Sequence, residues 1–266
     1  MIGRVAFLAS CLACCVTTVF SLESLTELWR EWELADEKTL VVFDVDEVLI
    51  TTEDHFMHPY AKYVFFPMIL KHIWMATSKE EEKDFEEALS FSYLLPKKLL
   101  IEEETPLLIK QLQEKGVEVL ALTSFPIGSI GLIPDIAAWR VNLLKEFNLS
   151  FSRELGKSFP LLREGVLFAE GHKKGDVLRD FFAYSGFYPS KVIFIDDLLS
   201  NVENVKSAMD SLGIECSAYQ YMGANRFFKE KVDEDVLMYQ VKQLIEKKQW
   251  ISDKEVKRLG RLTNSH

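Results

Sequence analysis

The chain has 266 residues, 48% of them hydrophobic, and its 41 acidic residues outnumber its 31 basic residues, for a net charge of −10. This length and composition predict a globular protein with one α/β domain and an insertion, or with two small domains. The acidic balance argues against a nucleic-acid partner, because phosphate backbones are bound by basic surfaces, and the basic residues form no cluster.

The N-terminal segment predicts export to the periplasm or out of the cell. Residues 1–21 combine an early arginine, an apolar stretch and small residues before Leu22, the layout of a cleaved signal peptide. The sequence Leu8–Cys11 also resembles a bacterial lipobox, which would leave a lipid on Cys11. An uncleaved anchor or an ordinary first helix is a further alternative. Membrane attachment is expected only through this segment.

After the leader, short apolar runs alternate with helical patterns. Apolar runs typical of buried strands cover residues 39–43, 117–122, 165–168, 191–195 and 214–219, and helical spacing covers 105–115, 136–147, 174–184 and 199–212. Strands that alternate with helices predict the α/β class, as a Rossmann-like, doubly wound parallel sheet. In such a sheet the active-site loops lie at the C-terminal ends of the strands.

Two segments fall outside this alternation. Residues 52–100 are rich in aromatic side chains and have helical spacing over 79–91, so they are predicted to form a small helical cap insertion. Residues 225–266 are polar with helical spacing and are predicted to form a C-terminal helical extension. The core domain then consists of residues 22–51 and 101–224.

Polar residues with complementary chemistry follow the predicted strands or open the next helix: Asp44 and Asp46, Thr123 and Ser124, Lys173 and Lys174, and Asp196 and Asp197. Each pair alone is typical of a turn, a helix cap or a solvated surface. In a parallel sheet, however, they converge on one edge. Carboxylates that meet there repel one another unless a divalent cation lies among them, and Mg²⁺ bound beside a phosphate suits such a site. A hydroxyl and a lysine add the donor and the charge that a phosphoryl group needs.

The sequences FDVDEVL, ALTS, GHKKGDVL and VIFIDD resemble the four motifs of the haloacid dehalogenase-like (HAD) superfamily of phosphatases. The resemblance covers residues 39–220 and implies a Rossmann-like core. It also implies that the insertion at 52–100 is a C1-type cap. The chain is similar to uncharacterised exported bacterial HAD-like proteins, for which the family implies no substrate.

The resemblance implies a role for each matching residue. Asp44 would be the nucleophile that forms an aspartyl-phosphate, and Asp46 the general acid and base. Thr123, with Ser124 beside it, would bind the phosphoryl oxygens. Lys174, rather than Lys173, matches the lysine that precedes glycine in the family motif and screens charge between the nucleophile and the phosphate.

The resemblance also implies a Mg²⁺ site. Asp44, Asp196 and the backbone carbonyl of Asp46 would bind the ion, and Asp197 would complete or orient its ligands. The second acid, Asp46, favours phosphoryl transfer over dehalogenation. Glu47 replaces the glycine found in many members, as it does in exported acid phosphatases with a DLDET-like motif.

The sequence therefore predicts an exported Mg²⁺-dependent phosphatase that hydrolyses a small phosphomonoester. One alternative is an exported protein that keeps the fold and the metal site as a binding or scaffold module. A second alternative is a phosphotransferase with an acceptor other than water. The sequence does not indicate the substrate or the oligomeric state.

Overall fold

The computed structural model describes residues 20–57, 75, 77–156, 158–228 and 232–263, with side chains through residue 260. The strands of this part of the chain are β1 (Phe20–Leu22), β2 (Thr39–Phe43), β3 (Ile50–Thr52), β4 (Lys98–Leu100), β5 (Glu118–Thr123), β6 (Leu162–Arg163), β7 (Val166–Phe168), β8 (Lys191–Asp196) and β9 (Glu215–Tyr221). The α-helices are α1 (Trp29–Leu34), α2 (Lys79–Leu94), α3 (Thr105–Glu114), α4 (Ile136–Glu146), α5 (Lys174–Ser185), α6 (Leu199–Leu212), α7 (Glu234–Lys247) and α8 (Asp253–Thr263).

The central sheet of the described residues has the strand order β1-β9-β8-β2-β5-β7-β6, and only β6 runs antiparallel to its neighbour. Successive side chains of β2 face opposite sides of the sheet. Val41 and Phe43 pack into a core with α3 and α4, whereas Leu40 and Val42 pack into a second core with α5 and α6. This arrangement confirms the predicted Rossmann-like, doubly wound parallel sheet.

The predicted elements of the core domain all occur, and their ends lie within about two residues of the predicted positions. Strand β2 explains this agreement, because all five of its residues are buried and the strand is accordingly a continuous apolar run. Helices α5 and α6 end at Gly186 and Gly213, which adopt the left-handed conformation that glycine tolerates.

The insertion leaves and rejoins the core through an antiparallel strand pair. Strand β3 pairs with β4, with Ile50 opposite Leu100 and Thr52 opposite Lys98. Helix α2 lies between them in the chain, and Ser78 caps it by accepting a hydrogen bond from the Glu81 N–H. Residues 58–74 and 76 of the predicted cap lie outside the described residues.

The C-terminal helices pack against the insertion. The shared apolar cluster contains Phe56, Ala88, Leu89, Leu237, Val241 and Leu244. A polar contact adds to it, because the Asp54 carboxylate accepts hydrogen bonds from Trp250 Nε1 at 2.8 Å and from the Asp253 N–H at 3.0 Å. Although the extension is polar overall, one face of α7 is apolar and buried against the insertion.

The edge strand β1 was not predicted. It pairs in parallel with β9, with Phe20 opposite Tyr219 and Leu22 opposite Tyr221. The predicted cleavage point before Leu22 lies within this strand, and the preceding residues, including Cys11, lie outside the described residues. Among the helices of the described residues, none combines the length and the apolar character that crossing a bilayer requires.

Gly175 allows α5 to approach α6 closely, and this contact is testable. A Cβ atom at residue 175 would lie 2.7 Å from the Asn204 carbonyl oxygen and 2.8 Å from the Ala208 Cβ. We expect Gly175→Ala to lower the free energy of unfolding by about 1–3 kcal/mol, as overpacking does. Chemical denaturation would measure this change.

Gly260→Ala is the matched control, because Gly260 lies in α8 and, among the described residues outside the adjacent helix backbone, no atom lies within 4 Å of the position of an alanine methyl group. We expect this variant to be neutral or stabilised by up to about 1 kcal/mol, since alanine favours helix more than glycine does. Equal stability of Gly175→Ala and the wild type would contradict the close-packing interpretation.

Candidate active site

Asp44 and Asp196 meet because their strands are neighbours. Strand β2 pairs with β8 with Phe43 opposite Ile195, and the Asp44 N–H donates to the Ile195 carbonyl at 2.8 Å. Each aspartate therefore stands at the C-terminal end of its strand. Both carboxylates are buried, and Asp196 is 0% exposed.

Lys174 joins these two carboxylates. Its Nζ lies 2.7 Å from Asp44 Oδ1 and 2.7 Å from Asp196 Oδ2, and the residue is 1% exposed. Lys174 is the first residue of α5, so the start of that helix points its side chain into the site. Lys173 precedes the helix and is exposed. Of the two lysines, only Lys174 is placed by the fold against the predicted nucleophile.

The charges of this cluster do not balance. Burial raises the pKa of the Asp44 carboxyl well above its ordinary value; the Lys174 charge opposes this rise, while Asp196 and Asp197 add to it. Burial alone would lower the pKa of the Lys174 ammonium, but the carboxylates of Asp196 and Asp44 raise it above its ordinary value. Lys174 thus stays protonated, and one ammonium faces three acids.

The three acids also fit a metal ion. Asp44, Asp196 and Asp197 each offer a carboxylate oxygen, and these oxygens lie within 4.8 Å of one another. The Leu198 N–H donates to Asp196 Oδ1 at 2.9 Å, and Asn201 Nδ2 donates to Oδ1 and Oδ2 at 3.0 and 3.2 Å, which fixes that carboxylate. A group of hard oxygen donors with excess negative charge fits the predicted Mg²⁺.

The carboxylate of Asp46 lies outside this group and contacts a residue that the sequence analysis missed. Arg140 Nη2 donates to Asp46 Oδ2 at 2.7 Å, and Arg140 is 1% exposed. The guanidinium carbon lies 3.9 Å from the centre of the Phe125 ring. Arg140 lies on the buried face of α4. The signal in the sequence was a charged residue between the apolar residues Trp139 and Val141 of a predicted helix.

Glu47 shapes the turn that follows the two aspartates. Its φ of 63° is in the left-handed region, which is uncommon for a residue other than glycine. The side chain is buried, and the Thr51 hydroxyl donates to its two carboxylate oxygens at 3.1 and 3.2 Å. The turn brings the chain from Asp46 directly into β3, with the Glu47 N–H donating to the Ile50 carbonyl at 2.9 Å. Glu47 thus fixes the start of the insertion beside the site.

The predicted phosphate-binding hydroxyls occupy different environments. Thr123 ends β5, which pairs with β2 on the side opposite β8, and its side chain is fully buried. Its Oγ1 accepts a hydrogen bond from the Phe125 N–H at 3.3 Å. Ser124 is exposed. The fold therefore brings Thr123 to the same sheet edge as Asp44, with Ser124 one residue farther into the loop.

Comparison with known proteins gives relatives without an assigned activity. An uncharacterized protein of Rickettsia prowazekii is 21% identical over 230 residues, which cover 82% of this chain and 81% of the relative. An uncharacterized protein of Rickettsia bellii is 24% identical over 187 residues, which cover 62% of each chain.

Among solved structures, the HAD domain of the effector protein Lem4 from Legionella pneumophila, an inactive mutant, is similar with 12% identity and a TM-score of 0.37, covering 77% of this chain and 98% of that domain. A family model described as "Protein of unknown function (DUF2608)" matches residues 21–257. Because this match spans most of the chain, the protein belongs to the DUF2608 family.

Proposed function

We propose that this protein is a Mg²⁺-dependent phosphatase that hydrolyses a small phosphomonoester through an aspartyl-phosphate on Asp44. The observation that carries the proposal is the contact of the Lys174 ammonium with the carboxylates of Asp44 and Asp196, at 2.7 Å each. The four motifs that resemble HAD phosphatases support the same chemistry, since they supply these residues.

The proposed ligands of Mg²⁺ are the carboxylates of Asp44, Asp196 and Asp197 and the backbone carbonyl of Asp46. When bound, the ion would supply positive charge to the phosphoryl oxygens. Thr123 and Lys174 are the proposed protein donors to the same oxygens.

In the first step, a carboxylate oxygen of Asp44 attacks phosphorus and forms a new P–O bond. Lys174 Nζ and the Val45 N–H, each 2.7 Å away, hold Asp44 Oδ1, so Oδ2 is the oxygen available for attack. The bond between phosphorus and the leaving oxygen breaks, and its electron pair stays on that oxygen. Asp46 donates the proton that makes the leaving group a neutral alcohol.

In the second step, a water molecule attacks the phosphorus of the aspartyl-phosphate. Asp46, now a carboxylate, takes the proton of that water, and the bond between phosphorus and the Asp44 oxygen breaks. Inorganic phosphate leaves, and both aspartates return to their starting forms. Arg140 holds Asp46 Oδ2 at 2.7 Å, so these proton transfers use Oδ1 or a separated ion pair.

We also propose that the protein is exported, on the basis of the predicted signal peptide at residues 1–21. Mass spectrometry of the mature protein is expected to find an N-terminus near Leu22. A retained Met1 or a lipid on Cys11 would contradict cleavage at this position.

The nucleophile can be tested by Asp44→Asn. We expect this variant to lose at least about a thousandfold in kcat for Mg²⁺-dependent hydrolysis of an aryl phosphate, because an amide does not attack phosphorus. Borohydride reduction of the wild type during turnover, followed by peptide mass spectrometry, is expected to locate the phosphorylated residue at position 44.

Asp176→Asn is the matched control, since Asp176 is an exposed carboxylate of α5 that pairs with Arg179 at 3.1 Å. Its activity is expected to equal that of the wild type. Undiminished hydrolysis by Asp44→Asn would refute the nucleophile, and a wild type inactive on a broad panel of phosphomonoesters would refute the phosphatase.

The metal site can be tested without measuring activity. We expect Mg²⁺ at a hundredfold excess over its Kd to stabilise the wild type by about 2–3 kcal/mol, because it binds the folded state alone. Asp196→Asn is expected to lose most of this stabilisation, as measured by thermal unfolding with and without Mg²⁺. Asp210→Asn, an exposed acid paired with Lys206 on α6, serves as the control and should keep it. Equal Mg²⁺ stabilisation of both variants would place the ion elsewhere.

A further inference from the structure

A small pocket of about 10 Å³, enough for one oxygen atom, lies beside Asp46, where the insertion meets the core. Asp46, Lys98 and Arg140 contribute its charged lining, whereas Asp44, Lys174 and Asp196 do not line it. The three carboxylates of Asp44, Asp196 and Asp197 are called the acid cluster from here on. Asp46 connects this acid cluster with the pocket, since it lies two residues after Asp44 and lines the pocket. In the proposed mechanism Asp46 protonates the leaving oxygen, so the group that leaves must lie on the Asp46 side of phosphorus.

Lys98 is a cation of this pocket, and its Nζ lies 6.0 Å from the centre of the Phe56 ring. It is partly buried on β4, and its Nζ makes no hydrogen bond or ion pair within the described part of the chain. Burial, reinforced by the Arg140 charge, lowers the pKa of Lys98 to about 8, although the carboxylates of Asp46 and Asp54 oppose this shift. The acid Asp54 nearby already accepts hydrogen bonds from Trp250 Nε1 and the Asp253 N–H. The Lys98 ammonium can therefore still form an ion pair with an added anion.

Arg140 adds to this excess of positive charge. It forms an ion pair with Asp46, but its buried Nε has no hydrogen-bond partner among the described residues. Two cations, Lys98 and Arg140, therefore share the single carboxylate that lines the pocket. A buried donor without a partner and a partly buried cation without an ion pair both favour a negatively charged acceptor in this pocket.

Three aromatic rings form one side of the pocket, here called the aromatic wall. The rings of Tyr93, Phe125 and Trp139 lie together, with centroids 5.0 Å apart for Tyr93 and Phe125, 6.1 Å for Tyr93 and Trp139, and 6.3 Å for Phe125 and Trp139. All three line the pocket. These rings make the pocket partly apolar, and a charge-assisted hydrogen bond is stronger in such surroundings.

We propose that the alcohol released from the substrate carries its own anionic group, one oxygen of which Lys98 binds in this pocket. The proposal rests on the proposed function, because that function places the leaving group beside Asp46. It narrows the substrate to phosphomonoesters of alcohols that carry a second, anionic group. An anion here would pair with Lys98 and balance the second cation, with a charge-assisted hydrogen bond in a partly desolvated site.

The test compares substrates of nearly equal shape and different charge: 4-carboxyphenyl phosphate and 4-carbamoylphenyl phosphate, together with their 3-substituted isomers. For at least one isomer pair, we expect the wild type to show a kcat/KM about tenfold higher for the carboxylate, the factor that about 1.4 kcal/mol provides. The carbamoyl phenol is the better leaving group, so intrinsic reactivity biases the ratio against this result.

Variants of neighbouring lysines assign the preference. Lys98→Gln is expected to bring the ratio of carboxylate to carbamoyl kcat/KM close to one, and Lys98→Arg to keep it above one. Lys97→Gln is the matched control, because Lys97 is exposed and pairs with Glu53 at 3.2 Å, and it should keep the wild-type ratio. A wild-type ratio at or below one for both isomer pairs, or a ratio unchanged in Lys98→Gln, would overturn the proposal.

Calorimetric binding of the same esters to Asp44→Asn separates this proposal from the proposed function. If the wild type hydrolyses neither these esters nor the broad panel of phosphomonoesters, the phosphatase proposal fails, and tighter binding of the carboxylate esters still supports an anion site at Lys98. If it hydrolyses the carbamoyl esters equally well, the phosphatase proposal stands and the anion site is refuted. Equal binding of both esters to Asp44→Asn would likewise refute the anion site.

Discussion

The contact of Lys174 with Asp44 and Asp196 is the interaction on which the rest of the site depends. Three elements must be in register for it to form, because Asp44 follows β2, Asp196 ends β8 and Lys174 begins α5. Two carboxylates buried at the ends of adjacent strands would repel each other without a cation between them. Gly175, the next residue, lets α5 pack closely against α6, which fixes the helix that begins with Lys174.

Asp44 and Asp46 lie in different surroundings, although only one residue separates them in the chain. Asp44 faces an ammonium and two further acids, whereas Asp46 faces the Arg140 guanidinium and an aromatic wall. Alternation of side chains along an extended segment would place both on one side, but the turn at Glu47 follows at once and redirects the chain. The acid cluster carries excess negative charge, and the pocket lined by Lys98 and Arg140 carries excess positive charge. The two regions meet at Asp46.

The sequence predicted the core well because local pattern and burial coincide there. All five residues of β2 are buried, and an apolar run bounded by polar residues has few other interpretations. Lys174 could be distinguished from Lys173 only because it precedes a glycine, as the lysine of the family motif does. Arg140 and Lys98 were not predicted, because their roles arise from packing between elements distant in the chain. Strand β1 was missed because its three residues continue the leader pattern.

The orientation of β1 has a consequence for attachment. It runs parallel to β9, and the acid cluster lies at the C-terminal ends of the parallel strands. Phe20 therefore enters the sheet at the edge opposite Asp44 and Asp196. Any tether made through the residues before Phe20 would therefore join the sheet at the edge opposite the cluster of Asp44, Asp196 and Asp197, and would leave that cluster on the side away from the point of attachment.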